Sequence, residues 1–135
     1  MSEAKRPIPR PTPTSAGFWE AAARGELVLQ RCEACRGWRH YPQPMCSSCH
    51  SLDWAWQRAS GHGVIHSFVI AHRAFHAFWA DKVPYVIATL ELDEGVRMVD
   101  DMLELAPQEA RIGLPVEVWF HDTGEGIVLP KWRER

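Results

Sequence analysis

The chain has 135 residues, a formal charge of −2 and an apolar content of 46%, room for one ordinary domain or for a small metal module joined to a small β-domain. Charge so near neutral argues against a partner selected by bulk electrostatics, such as nucleic-acid phosphate, and no apolar run approaches the roughly 18 residues a membrane span needs. No apolar h-region opens the sequence, so a secretory signal is not expected.

Residues 1–14 read as an extended tail. Pro7, Pro9, Pro11 and Pro13 forbid a helix and favour a polyproline-like strip. Such a segment is either a leader with no apolar face to bury or an arm that orders against a partner subunit. Thr14 or Ser15 can cap a helix that runs to about Arg24 and stops at Gly25. Phe18, Trp19, Ala22 and Ala23 give it one apolar face. So short a helix has no core of its own and must dock, on its own domain or on another chain.

Leu27 to Arg31 is a short strand that runs into Cys32-Glu-Ala-Cys35. Ten residues later comes Cys46-Ser-Ser-Cys49, and these four are all the cysteines present. Two Cys-x-x-Cys pairs at short separation are the pattern of a tetrahedral zinc site, each pair forming a knuckle that aims two thiolates at one metal. With every position filled by cysteine the site is closed, hence structural, not catalytic. Cysteines used as metal thiolates also fit a reducing cytosol and predict a cytoplasmic protein. Trp38 to Tyr41 return from the first knuckle, and Asp53 to Gln57 alternate as a half-buried strand does. The turn cluster Ala59-Ser60-Gly61-His62-Gly63 marks a boundary, dividing a helix-plus-ribbon unit at 15–60 from a second unit at 61–135.

That second unit reads as mainly β. Val64 to His72 is a strand, with His66, Phe68 and Ile70 expected on one face and Ile65, Val69 and Ala71 on the other. Pro84 to Leu92 alternates cleanly, Val86, Ala88, Leu90 and Leu92 against Tyr85, Ile87, Thr89 and Glu91. Asp93-Glu94-Gly95 turns the chain into a strand from Val96 that ends near Leu105. One helical turn is expected over Ala106 to Ala110. Pro115 to His121 is a fourth strand, and Gly126 to Pro130 closes the domain before a basic tail of Lys131, Arg133 and Arg135. Five short strands with a helical turn before the fourth suggest a five-stranded Greek-key barrel of the OB type.

The ordered set of motifs resembles a known family. A Phe-Trp helix is followed by Gly-x-Leu-x-Leu-Gln-Arg-Cys-x-x-Cys, Tyr-Pro, Cys-x-x-Cys, Ser-Gly-x-Gly-x-Ile-x-Ser-Phe, Pro-Tyr-Val-Ile-Ala, Leu-Asp-Glu-Gly, Ile-Gly-x-Pro-Val-x-Val and a late Leu-Pro. From about Phe18 to Pro130 this is similar to the domain-of-unknown-function family that joins a rubredoxin-like zinc ribbon to an OB-fold. The resemblance implies an accessory subunit of acyl-CoA enzymes, accompanying thiolase-like acyltransferases, sterol-carrier-type thiolases and aldolases, or MaoC-type enoyl-CoA hydratases. It implies lipid or steroid metabolism, a CoA thioester as ligand of the complex, and a hetero-oligomer. The knuckles depart from the family pattern in lacking the usual Pro and second Gly (Cys46-Ser-Ser-Cys49-His50-Ser51), which weakens any rubredoxin-like iron chemistry and leaves a structural zinc intact.

The connection His72 to Pro84 is the strongest candidate for a functional loop, because loops beyond about 12 residues are usually functional or disordered. In OB-folds the loop after the first strand borders the ligand face. Phe75, Phe78, Trp79 and Tyr85 are candidates to line an acyl or pantetheine channel; Arg73, Lys82 and the C-terminal basic residues are candidates to meet CoA phosphates. Otherwise the loop is a lid packed on its own barrel. Phe18 and Trp19 are the candidate partner anchors. His72 and His76 stand at i, i+4 without a third ligand, so they read as surface or packing groups. Asp93, Glu94, Asp100 and Asp101 read as solvated turn carboxylates. With no glycine-rich phosphate loop, no nucleophile elbow and no spare thiol, catalysis by the chain alone is not expected. Two other classes remain: a single-strand nucleic-acid binder working by aromatic stacking, and a rubredoxin-like electron carrier.

Overall fold

The structure, a computed structural model, describes residues 4–135. Helix α1 (Ala16–Ala23) is followed by a three-stranded antiparallel sheet of β1 (Val28–Cys32), β2 (Trp38–Arg39) and β3 (Trp54–Arg58), in the order β2-β1-β3. A five-stranded antiparallel sheet then forms from β4 (His62–Ala71), β5 (Tyr85–Leu92), β6 (Arg97–Met102), β7 (Pro115–Asp122) and β8 (Val128–Glu134), in the order β6-β5-β4-β7-β8. Single 3-10 turns occupy Ala77–Trp79 and Pro107–Glu109. This is the expected mainly β chain of helix, ribbon and OB-like sheet. It departs from a barrel in one respect: no ladder joins the outer strands β6 and β8.

The helix ends as its sequence dictates. Gly25 takes φ +76°, a region that costs glycine nothing. The Gly25 amide donates to the Ala22 carbonyl and the Glu26 amide to that of Ala21, the reciprocal pair of a Schellman cap. The buried face is Phe18, Ala21 and Ala22, not the Phe18, Trp19, Ala22 and Ala23 face expected. Helical periodicity groups 18, 21 and 22, which leaves Trp19 half-buried on the flank and Ala23 in solvent.

One apolar core runs through both parts, from Phe18, Leu27 and Leu29 to Ile65, Val86, Leu90, Val116 and Trp132. Strand β5 contributes Val86, Ala88, Leu90 and Leu92, all buried and alternating as predicted. Strand β4 does not keep one parity. Its register against β5 shifts between Ile65 and Ser67, so Ile65 is buried on one side of the bulge, while beyond it Phe68 and Ile70 pack against the same core. A bulge inserts one residue and flips all that follow, which is why simple alternation assigned Ile65 to the opposite face.

The expected C-terminal basic tail is strand β8. Lys131 and Trp132 are buried, and the strand pairs with β7 from Val128 to Glu134. Asp100 and Asp101, expected in solvent, lie on β6 with side chains 7% and 14% exposed. The Lys131 ammonium donates to Asp100 Oδ1 at 2.5 Å and to Asp101; the Trp132 amide donates to Asp100 Oδ2 at 3.0 Å. Side chains therefore close the seam between β6 and β8 that backbone pairing leaves open. Burial pushes the Asp100 carboxyl up to about 6 against the pull of Lys131. Burial also acts to raise Asp101, but hydrogen bonding to Arg6 and the nearby Lys131 outweigh it and hold that carboxyl below its usual range.

Candidate metal centre and loop face

Backbone geometry builds the two knuckles alike. After Cys32 the Arg36 amide donates to the Cys32 carbonyl at 3.1 Å; after Cys46 the His50 amide donates to the Cys46 carbonyl at 2.9 Å. Cys32 in turn donates to Gly37 and Cys46 to Ser51. Arg36 and His50 occupy the left-handed region at φ 65° and 63°, the position where a knuckle favours glycine.

These turns bring the four sulfurs within 4.8 Å of one another. Cys32 and Cys49 Sγ are 3.6 Å apart, and Cys35 and Cys46 Sγ 3.7 Å. A tetrahedron with zinc–sulfur bonds of about 2.3 Å has edges near ~3.8 Å, so the cluster has the size of a zinc site, and all four cysteines are free thiols. The donor chemistry agrees. Amides of Cys49 and Ser48 draw Cys46 down to about 6. At Cys49 the Ser51 amide favours the thiolate, but Cys32, burial and the other two sulfurs push it up to about 11. Four thiolates this close need a cation to ionise together. Cys32, Cys35, Cys46 and Cys49 would hold that cation, which supplies structural cross-linking and no open coordination position.

The residue that secures the inter-knuckle loop is Gln30, not singled out from the sequence. Fully buried on β1, its Oε1 accepts from the Gln43 amide (2.7 Å) and Arg39 Nε (2.9 Å), and its Nε2 donates to the Gln43 carbonyl (2.9 Å). A satisfied buried amide of this kind fixes one loop conformation; its only trace in the sequence is a lone glutamine in an apolar strand.

His40 lies in the same loop, its ring 5.4 Å from that of Phe18 and 4.2 Å from that of Tyr41, with Nε2 buried and unpartnered among the described residues. Burial lowers it from 6.5 to about 4. The folded state thus prefers neutral His40, and the benefit is lost as pH falls from 6.5 towards 4. Asp100, raised to about 6, acts oppositely, stabilising the fold as pH falls through that value. Replacing His40 by Phe should remove the histidine's contribution and make the variant gain about 1 kcal/mol relative to the parent between pH 7 and 5.5. Urea midpoints at the two pH values check this; parallel shifts in both proteins would contradict it.

The loop 72–84 divides its aromatics. Phe75 is 88% exposed, with the Arg73 guanidinium 5.1 Å above its ring. Phe78 and Trp79 turn inward on the 3-10 turn, edge to face at 5.0 Å, where the Phe78 amide donates to His76 Nδ1 and Trp79 stacks on Tyr85 at 6.2 Å. The Lys82 ammonium donates to the Phe78 carbonyl and Asp81 and sits 3.9 Å from the Phe78 ring centroid. So Phe78, Trp79, Lys82 and Tyr85 form one cluster, and Arg73 and Phe75 form the exposed tip. Phe18, at 5% exposure, is a core residue, its ring edge to face with Trp19 at 4.9 Å; of the expected anchor pair only Trp19 reaches the surface. The remaining C-terminal basic side chains are paired, Arg133 on β8 with Glu117 at 3.4 Å and Arg135, just beyond the strand, with His62 Nδ1 at 2.9 Å. No helix among the described residues is long and apolar enough to cross a membrane.

Comparison with known proteins gives two adjacent family matches. Residues 19–55 match the family profile of the ChsH2 rubredoxin-like zinc ribbon domain, and residues 56–121 that of the ChsH2 C-terminal OB-fold domain. A DUF35 domain-containing scaffold protein of Methanocaldococcus jannaschii is 30% identical over 108 residues, 76% of this chain and 75% of that protein. The chain belongs to the DUF35 family. This DUF35 chain is also 39% identical over 131 residues to a Thermomonospora curvata protein named "Probable enoyl-CoA hydratase alpha subunit", covering 97% of the chain and 40% of that protein. It thus spans about two fifths of the length of that hydratase subunit. Among solved structures, a chain of the "Ltp2-ChsH2(DUF35) aldolase" superposes with a TM-score of 0.83 at 38% identity, covering 94% of this chain and 98% of the other.

Proposed function

We propose that the chain is a non-catalytic accessory subunit that binds a thiolase-fold acyltransferase or aldolase, or a MaoC-type hydratase, and helps to form its acyl-CoA site. The observation that carries this reading is the likeness over nearly the whole of both chains to the DUF35 chain of an aldolase complex. Its support from chemistry is that the thiols, the strongest nucleophiles of the chain, are gathered into one four-sulfur cluster, whereas nucleophilic catalysis needs a thiolate or hydroxyl beside a base. The zinc organises the ribbon. The loop tip presents Arg73 and Phe75 outward, a cation and an apolar ring suited to a phosphate-bearing, acyl-carrying ligand shared with a partner, and Phe78, Trp79, Lys82 and Tyr85 shape the base of that loop.

Purified subunit alone should show no turnover of acyl-CoA thioesters, and adding it to a thiolase-fold or hydratase partner should raise the partner's activity. Trp79→Ala, which removes the stacking partner of Tyr85, should lower the partner's kcat/KM by about tenfold while the complex still forms. Trp19→Ala should instead weaken assembly by about 2 kcal/mol and leave the turnover of residual complex unchanged. Calorimetric titration paired with steady-state kinetics checks both; variants that bind and support activity like the parent would overturn the assignment of these two side chains.

A further inference from the structure

The Pro-rich arm makes two charged contacts that its sequence does not advertise: an exposed one, Lys5 Nζ with Glu125 Oε1 at 2.9 Å, and a shielded one made by Arg6. Arg6 reaches across to β6, donating from Nη1 to Asp101 Oδ2 at 2.8 Å and from Nη2 to Asp101 Oδ1 at 3.4 Å. Its guanidinium carbon lies 4.9 Å from the Phe78 ring centroid and 5.8 Å from that of Trp79. Both partners of the pair are 14% exposed at their side chains. A planar cation held by a two-oxygen fork and flanked by aromatic rings is the arrangement that selects guanidinium over ammonium. The site sits on the β6–β8 seam, beside the Lys131 that bridges it.

The consequence extends along the arm. Between Arg6 and the Thr12–Ser15 hydrogen bonds that lead into α1, Pro7, Pro9 and Arg10 line a groove of about 490 Å³. Its walls include Trp19, Tyr41, Val99 and Leu129, from the helix, the ribbon and the outer strands of the sheet. We infer that Asp101, Phe78 and Trp79 form a guanidinium socket on the seam, and that residues 4–14 are a strap whose Arg6 fills this socket in cis and lines the groove between ribbon and sheet. Prolines suit such a strap, since a stiff segment loses little entropy on docking and the shielded Arg6 pair can hold it, the exposed Lys5–Glu125 pair adding little.

The test uses the zinc-loaded chain and nuclear magnetic resonance. Arg6→Ala should free the strap, taking the Ile8 and Arg10 amides from rigid order parameters near ~0.85 to below about 0.6, with Arg6→Lys intermediate because it keeps charge and loses the fork. Ethylguanidinium added to Arg6→Ala should then bind saturably, shifting the Trp79 indole and Phe78 amide signals, and tenfold more weakly or not at all once Asp101→Asn is added. Ile8 and Arg10 that stay rigid in Arg6→Ala would overturn the strap. Ethylguanidinium binding that fails to saturate in Arg6→Ala, or that is unaffected by Asp101→Asn, would overturn the socket.

Discussion

Cys35→Ser is expected to lose the metal and with it the ribbon. The side chain supplies one of four sulfurs gathered within 4.8 Å, and the ribbon sheet has only a two-residue and two five-residue strands, too few to persist on backbone pairing alone. Metal affinity in such modules is largely folding energy, of order 10 kcal/mol, so a three-thiolate site leaves the knuckles without their cross-link. Because Leu27, Leu29 and Trp56 pack into the common core, the damage should reach the OB-like sheet as aggregation or a lowered midpoint. Metal analysis and thermal unfolding of the purified variant read this directly. A soluble, metal-free Cys35→Ser protein with the parent's midpoint would contradict it.

Gly17→Ala should destabilise, although alanine is the better helix former by about 1 kcal/mol. Gly17 lies in α1 against the ribbon, and a Cβ placed there would fall 2.1 Å from Trp56 Nε1 and 2.7 Å from Cε2. That overlap cannot be relieved by a small rotation, because Trp56 is on β3, edge to face with Trp54 at 5.0 Å, and packs on the core. Overpacking of this kind costs about 1–3 kcal/mol, and displacing the helix would also loosen Phe18 from the core. The steric term should win by about 1 kcal/mol, read as a lower urea midpoint with unchanged metal content. A raised midpoint would mean that helix propensity alone governs this position and that α1 does not pack against Trp56.

What the sequence revealed depended on how local the signal was. The zinc site was legible because two short spacings specify it, and β5 because its alternation runs unbroken from Tyr85 to Leu92. The helix stop at Gly25 was legible for the same reason. The faces of β4 were not, since a single bulged residue near His66 reverses parity and leaves no residue-level mark. The largest misreadings involved charge. Asp100 and Asp101 look like solvated carboxylates and Lys131 like a tail residue until β6 and β8 are brought side by side, 30 or more residues apart in the chain. Arg6 and Asp101 are separated by 95 residues, and no local pattern could pair them. Phe18 and Trp19 look equivalent as neighbours in sequence, but the helical repeat sends one into the core and leaves the other at the surface.

We propose that this chain works by assembling with an acyl-CoA enzyme. The decisive measurement is light scattering on size-exclusion chromatography, with the zinc-loaded chain mixed separately with a thiolase-fold enzyme and a MaoC-type hydratase. A stable complex with one of these partners is expected, with acyl-CoA turnover in the complex fractions and none in the fraction holding the chain alone. Elution of the chain unassociated from both partners, with thioester turnover that follows the free chain, would contradict it.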